Sequence, residues 1–165
     1  MPEHQVCPRH GHDIGKIGVS ETILNKPGKL FAHEWSQIQA HPVVGYNILR
    51  KSTLLIKIAK IVLYHHERWD GKGYPQGLPG NQIPLGSRII AVADAVDAMT
   101  TDRPYRKPLP WESCYNELQV NKEKQFDPVV VEAAAQLLTK WADKRQDKQV
   151  ISNEKAAEIC WGRRG

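Results

Sequence analysis

Apolar residues recur with helical spacing wherever this chain carries a pattern. Over 33–51 the apolar positions are Trp35, Ile38, Val43, Val44, Ile48 and Leu49, and Pro42 sits where a first helical turn tolerates proline. This predicts two short helices or one kinked helix. Over 54–67, Leu55, Ile58, Ala59, Val62 and Leu63 mark one buried face of a helix that carries His65 and His66 in its last turn.

Breakers then take over. Gly71, Gly73, Pro75, Gly77, Pro79, Gly80, Pro84 and Gly86 leave no room for a regular element, so 69–86 reads as a long structured loop, which 81–84 closes. A helix over 87–101 follows, nearly apolar except for Asp94 and Asp97, and Pro104 and Pro108 hold the next stretch extended. Pro110 and Glu112 open a further helix that runs to about Asn121. Asp127 followed by Pro128 predicts an N-cap and first-turn proline for a last helix to about Asp143. From Lys144 the chain is polar and basic, with a weak helical pattern over 156–161.

Composition narrows the setting. A chain of 165 residues with 41% hydrophobic and 25% charged positions has the mix of one soluble globular domain. A domain of that size buries roughly 68–70% of its unfolded surface, which is enough to fold without disulfides or a structural metal. Cys7, Cys114 and Cys160 are odd in number and widely spaced, which argues against a disulfide framework or zinc knuckle and for a reducing, cytoplasmic setting. The longest apolar run, 54–64, is interrupted by Lys57 and Lys60, and the start MPEHQVCPRHG has no apolar signal-peptide core, so no membrane partner is expected. The net charge of +5 is spread along the chain apart from Arg103, Arg106, Lys107 and the last positions; it admits anions without indicating a nucleic-acid polymer.

Six side chains able to bind metal stand where packing does not call for them: His12, Asp13, His41, His65, His66 and Asp94. His41 alone also reads as a helix-end cap favoured by the macrodipole. Asp94 lies between Val92, Ala93, Ala95 and Val96, where an unpaired carboxylate is costly, so it requires a cationic partner and a metal ion meets that need. On a helix His65 and His66 diverge by about 100°, so each is expected to face a different ion of a close pair. Mixed imidazole and carboxylate donors suit iron, manganese or another first-row divalent ion. A carboxylate such as Asp13 can bridge two such ions, and a pair about 3.5–4 Å apart is an apparatus for hydrolysing phosphate esters.

The order of these residues resembles the HD-GYP domain, a branch of the HD-domain phosphohydrolases. The strings that carry the resemblance are HDIGKIGVSETILNKPGKL from His12, AHPVVGYNIL after it, LYHHERWDGKGYPQGLPGNQIPLGSRIIAVADAVDAMTTDRPYRK, and QFDP. It implies an all-α helical bundle with a long Gly/Pro-rich GYP loop, over 12–143, flanked by an atypical segment 1–11 and the polar, basic tail 144–165. It implies a phosphodiesterase for cyclic di-GMP in bacterial signalling, working with two or three divalent ions held by His12, Asp13, His41, His65, His66 and Asp94, with Asp13 bridging.

By the same resemblance Lys16, three residues after Asp13, contacts the phosphate and assists the leaving oxygen, and Arg103 and Arg106 bind phosphate. Gly73, Tyr74 and Pro75 are the naming motif; Tyr74 reads either as an aromatic face or hydroxyl near the guanine or as a purely structural loop residue. Members carry further helices ahead of the HD pair, whereas Pro8 and Gly11 break any helix there, so the domain reads as N-terminally shortened. That reading leaves a homodimer open through uncovered faces, and a diguanylate cyclase or regulatory domain as a partner in trans. It also leaves open a catalytically impaired module that binds a dinucleotide or a partner.

Overall fold

The computed structural model describes residues 11–101 and 107–140. Arg103, Arg106, segment 1–10 and the tail from residue 141 therefore lie outside the described residues. Among those described, the secondary structure is helical, and extended pairing is limited to isolated bridges, Asp70 with Pro79 and Lys122 with Phe126. The all-α expectation holds. No helix among these residues is long and apolar enough to cross a membrane.

A 3₁₀ helix, Gly11–Gly18, comes first. The α-helices are α1, Glu21–Leu24; α2, Ala32–Gln39; α3, His41–Leu49; α4, Ile56–Leu63; α5, Leu85–Thr100; and α6, Trp111–Val120. Residues 128–140 form α7. Short 3₁₀ turns, Thr53–Leu55 and Gly80–Gln82, precede α4 and α5.

The sequence pattern accounts for most of these boundaries. Ala40 ends α2 and starts α3 while keeping helical backbone angles, and Pro42 follows inside the first turn, where its missing N–H costs nothing. So the predicted break between two short helices is real. In α4 the buried stripe is Ala59, Val62 and Leu63, but Ile58 is 49% exposed, contrary to expectation. It sits about 100° from the centre of that stripe, at its edge. Helix α5 begins at Leu85, two residues before the expected start, because Pro84 already has the extended geometry of a cap. Asp127 caps α7 as predicted: its Oδ1 accepts the N–H of Val129 at 2.7 Å and of Val130 at 3.4 Å.

Packing divides the chain into two halves that meet at α5. Val92, Met99, Cys114, Leu118, Phe126, Val131 and Leu138 form the core between α5, α6 and α7. The 3₁₀ helix Gly11–Gly18 lies on α3, and α3 on α4. The Ser87 hydroxyl then donates to the Ile61 carbonyl at 2.8 Å, joining α5 to α4 through a buried polar contact.

Polar pairing fastens the breaker-rich loop to both halves. Trp69 N–H donates to Gln125 O at 3.2 Å and Asp70 N–H to Lys124 O at 2.8 Å. Arg88 reaches from α5 to Asp127 Oδ2 at 2.6 Å and to Asn81 Oδ1 at 3.1 Å. With Asp127 only 2% exposed, its carboxylate serves two helices at once. Asp127→Ala removes a cap and leaves Arg88 with a desolvated, unpaired charge, so it should destabilise the fold by about 3–5 kcal/mol, read as a lower urea midpoint with an unchanged slope.

Candidate metal centre

The first site residues stand on the 3₁₀ helix. Its three-residue period eclipses positions i and i+3, which sets Lys16 over Asp13 with Nζ 2.6 Å from Oδ2. The opposite side of the element is pressed into α3 at Gly15. A Cβ there would overlap the His41 carbonyl oxygen and lie 2.6 Å from Gly45 N. Only glycine permits this approach, and it brings Asp13 beside His41.

His41 opens α3 and His65 follows α4, and both rings are nearly inaccessible to solvent. Each places Nδ1 2.6 Å from a backbone carbonyl, Ile38 O for His41 and Val62 O for His65. A carbonyl only accepts, so the Nδ1 atoms carry the hydrogens and the Nε2 atoms turn inward. Those Nε2 atoms are 3.4 Å apart, and Asp13 Oδ1 lies 3.3 Å from that of His41 and 3.9 Å from that of His65. Two imidazole nitrogens and a carboxylate oxygen thus converge on one small space, where a cation suits all of them. A proton on one nitrogen satisfies them in part; a metal ion satisfies all three donors together.

His66 joins the same group, which corrects the expectation that it diverges from His65. Helix α4 stops at Leu63, and residues 64–66 form a turn rather than a last helical turn. The 100° rule no longer applies, and the two rings approach to 4.0 Å between centroids. One donor atom from each of Asp13, His41, His65 and His66 lies within 4.8 Å of every other. Carbonyl-anchored imidazoles beside a carboxylate are the donor set and outer support of a divalent metal site, so these residues fit such an ion.

His12 and Asp94 form an adjoining wing. His12 Nε2 is 3.6 Å from Asp94 Oδ1 and 3.9 Å from Asp13 Oδ2. The Asp94 side chain is 37% exposed, so it is less desolvated than its apolar neighbours suggested, and the His12 ring faces it. The His12 contact outweighs burial and lowers the Asp94 carboxyl from its ordinary value. For Asp13, burial opposes ionisation, yet the contacts with His41 and Lys16 prevail and hold its carboxyl far below the usual range. Burial pushes His65 down to about 4, and burial followed by the neighbouring His65 pushes His66 down to about 3. At neutral pH these rings present lone pairs.

Tyr74 stacks on His66 with centroids 4.9 Å apart and planes at 27°. Burial, with Asp13 and Asp94 nearby, pushes its phenol up to about 12, so it stays a neutral donor. A polar pocket of about 180 Å³ adjoins the group, lined by His65, His66, Arg68, Asp94 and Gln125 among others. A larger cleft of about 810 Å³ along α5 and α7 is almost wholly apolar and lies away from these donors, so a charged ligand belongs at the smaller site.

Two residues escaped the sequence reading. Gly15 carried no signal beyond standing between Asp13 and Lys16, because its role depends on α3. Glu67 follows the two histidines and passes for a solvated acid, yet it is buried and accepts three backbone N–H groups from the loop.

A profile of the HD domain matches residues 3–130. The chain is 46% identical over 128 residues to a cyclic di-GMP phosphodiesterase of Thermotoga maritima, covering 76% of this chain and 35% of that protein. It is 44% identical over 132 residues to a 3'3'-cGAMP-specific phosphodiesterase 2 of Vibrio cholerae, covering 79% of this chain and 25% of that protein. Among solved structures, that of a cyclic GMP-AMP specific phosphodiesterase of Vibrio cholerae superposes with a TM-score of 0.58 at 20% identity, over 78% of this chain and 36% of the other. The chain belongs to the HD-domain family, and within it to the HD-GYP type. It spans about a quarter to a third of the length of these curated relatives.

Two outcomes follow from this geometry. Gly15→Ala should separate the 3₁₀ helix from α3 and weaken ion binding at least roughly tenfold by displacing Asp13, measured by titrating manganese into chelator-treated protein. In the ion-free protein His65 and His66 titrate well below the ordinary value of 6.5. The unfolded chain therefore takes up more protons than the folded one, so stability should fall as pH drops from about 6.5 towards about 4. Urea midpoints across that window read the slope, and a flat profile contradicts the assignment of buried, neutral rings.

Proposed function

We propose that this chain is the catalytic domain of a metal-dependent phosphodiesterase that hydrolyses cyclic di-GMP in bacterial signalling. The observation that carries the reading is the convergence of Asp13, His41, His65 and His66, with the Lys16 ammonium 2.6 Å from Asp13. The names of the relatives, a cyclic di-GMP phosphodiesterase and a 3'3'-cGAMP-specific phosphodiesterase, support a cyclic dinucleotide as the substrate class. On this reading His12 and Asp94 complete the ligand set, Asp13 bridges, and the ions are two or three in number, iron or manganese.

Such ions supply a water of lowered pKa and neutralise charge at phosphorus. Asp13, His41, His65 and His66 would hold the ions, and their fixed positions would set where water and phosphate meet. The bond from water oxygen to phosphorus forms as the bond from phosphorus to the ribose oxygen breaks. The water's proton passes to solvent water, and Lys16 or a second water protonates the departing oxygen. Arg103 and Arg106 bind the non-bridging oxygens, which a planar guanidinium suits. Tyr74 would offer an aromatic face or its hydroxyl to a guanine base.

A second reading keeps the chemistry and changes the base. A relative 44% identical to this chain is named for 3'3'-cGAMP, and a set of metal-binding donors does not by itself choose a base. A side-by-side panel of cyclic di-GMP and 3'3'-cGAMP separates the two by kcat/KM.

The test is anaerobic reconstitution with iron or manganese, an ion count by elemental mass spectrometry, and assay of both dinucleotides. Two or more ions per chain and a linear dinucleotide or mononucleotide product are expected. His65→Ala and Asp13→Ala should each abolish turnover in folded protein, and Lys16→Ala should lower kcat by roughly 100-fold. Retained turnover in both ligand variants sinks the metal assignment. Binding without hydrolysis in the ion-loaded protein would instead make the chain a dinucleotide- or partner-binding module.

A further inference from the structure

Glu67 is 3% exposed, although it is an acid at the edge of a loop full of breakers. Its Oε1 accepts the N–H of Gln76 at 2.7 Å and of Gly77 at 3.1 Å, and its Oε2 accepts the N–H of Leu78 at 3.0 Å. The loop has no helix or strand ladder to satisfy these donors, and a carboxylate meets all three with charge-assisted bonds. The same loop returns to the histidine turn at two further points. Tyr74 N–H donates to His66 O at 3.2 Å, and a Cβ on Gly73 would sit 2.5 Å from Glu67 Cα and 2.6 Å from His66 O. The loop thus lies flat on the residues that carry the metal-binding rings.

The turn itself is held by other bonds. Glu67 N–H donates to Tyr64 O at 3.1 Å, and His65 Nδ1 is fixed by Val62 O. Both survive a change in the Glu67 side chain. The carboxylate therefore acts on the loop and leaves the rings in place.

We propose that Glu67 is a positioning residue whose carboxylate fixes the loop so that Tyr74 stays stacked on His66, and that it governs how substrate is held rather than whether the ions are held. The proposal rests on the reading of the site as a cyclic-dinucleotide hydrolase. It assigns Glu67 an effect carried through Tyr74, separate from the ligand set.

The variant is Glu67→Gln, nearly the same shape, which turns an amide N–H towards a backbone N–H. In the manganese-loaded protein, amide exchange at Gln76, Gly77 and Leu78 should accelerate at least roughly tenfold. The ion count should be unchanged, and KM for cyclic di-GMP should rise roughly tenfold while kcat stays within about threefold. Tyr74→Ala should reproduce the KM rise while leaving the three amides protected, and the double variant should add nothing to it.

Gly73→Ala, which pushes the loop off the turn from its own side, should give the same exchange and KM changes, and it replaces Glu67→Gln if that protein does not fold. Unchanged exchange, loss of ions in step with turnover, or additivity of the Glu67 and Tyr74 effects overturns the proposal. A wild-type protein that holds its ions and hydrolyses no cyclic dinucleotide overturns the proposed function instead. The exchange measurement needs no substrate and still decides whether Glu67 fixes the loop.

Discussion

Two buried imidazoles each give a hydrogen to a backbone carbonyl, and this leaves two ring nitrogens 3.4 Å apart beside a carboxylate. Such an arrangement is unfavourable without a cation, and everything around it works to keep it in place. His41 sits at the start of α3 and His65 after the end of α4, and rotating either ring away would break its bond to a backbone carbonyl. Asp13 is delivered from a third element, the 3₁₀ helix, whose contact with α3 leaves no space for a side chain at Gly15. The donors thus come from three segments packed against one another.

The second layer is polar and holds the loop. The residues between α4 and α5 pair among themselves only in part, as in the Asp70–Pro79 bridge, and other backbone groups there find partners in side chains and distant carbonyls. Glu67 takes three of those N–H groups, and Trp69 and Asp70 reach the turn before α7. Arg88 and Asp127 join α5 to the first turn of α7 beneath it. This network lets a segment without regular structure present Tyr74 at a defined place on His66. The wide cleft along α5 and α7 has none of this chemistry and stays apart from the donors.

Much of this was legible beforehand. The break at Pro42, the cap at Asp127 and the ordered loop were predicted and observed, because each depends on backbone geometry within a few residues. Six side chains able to bind metal stand out in the sequence, and the structure brings Asp13, His41, His65 and His66 together with His12 and Asp94 adjoining. The errors lie where a local rule met a tertiary contact. His65 and His66 were given helical divergence, but α4 ends at Leu63 and the turn after it redirects both rings. Asp94 was expected to be deeply desolvated, but one side of α5 faces the site and His12 reaches it. Gly15 and Glu67 were passed over, since a glycine and an acid show their purpose only against the segment they touch.

By itself, then, the sequence determined the residue types, their order and the helical segments that carry them, because hydrophobic period, breakers and caps act over a few positions. The resemblance of its motifs to the HD-GYP domain also belonged to the sequence, since it resides in ordered strings. Only the tertiary structure decided that Asp13, His41, His65 and His66 point at one place, that Lys16 rests on Asp13, and that Glu67 holds the loop. Those facts depend on where segments distant along the chain cross, and that crossing rests on close packing at Gly15 and on backbone carbonyls that orient the His41 and His65 rings.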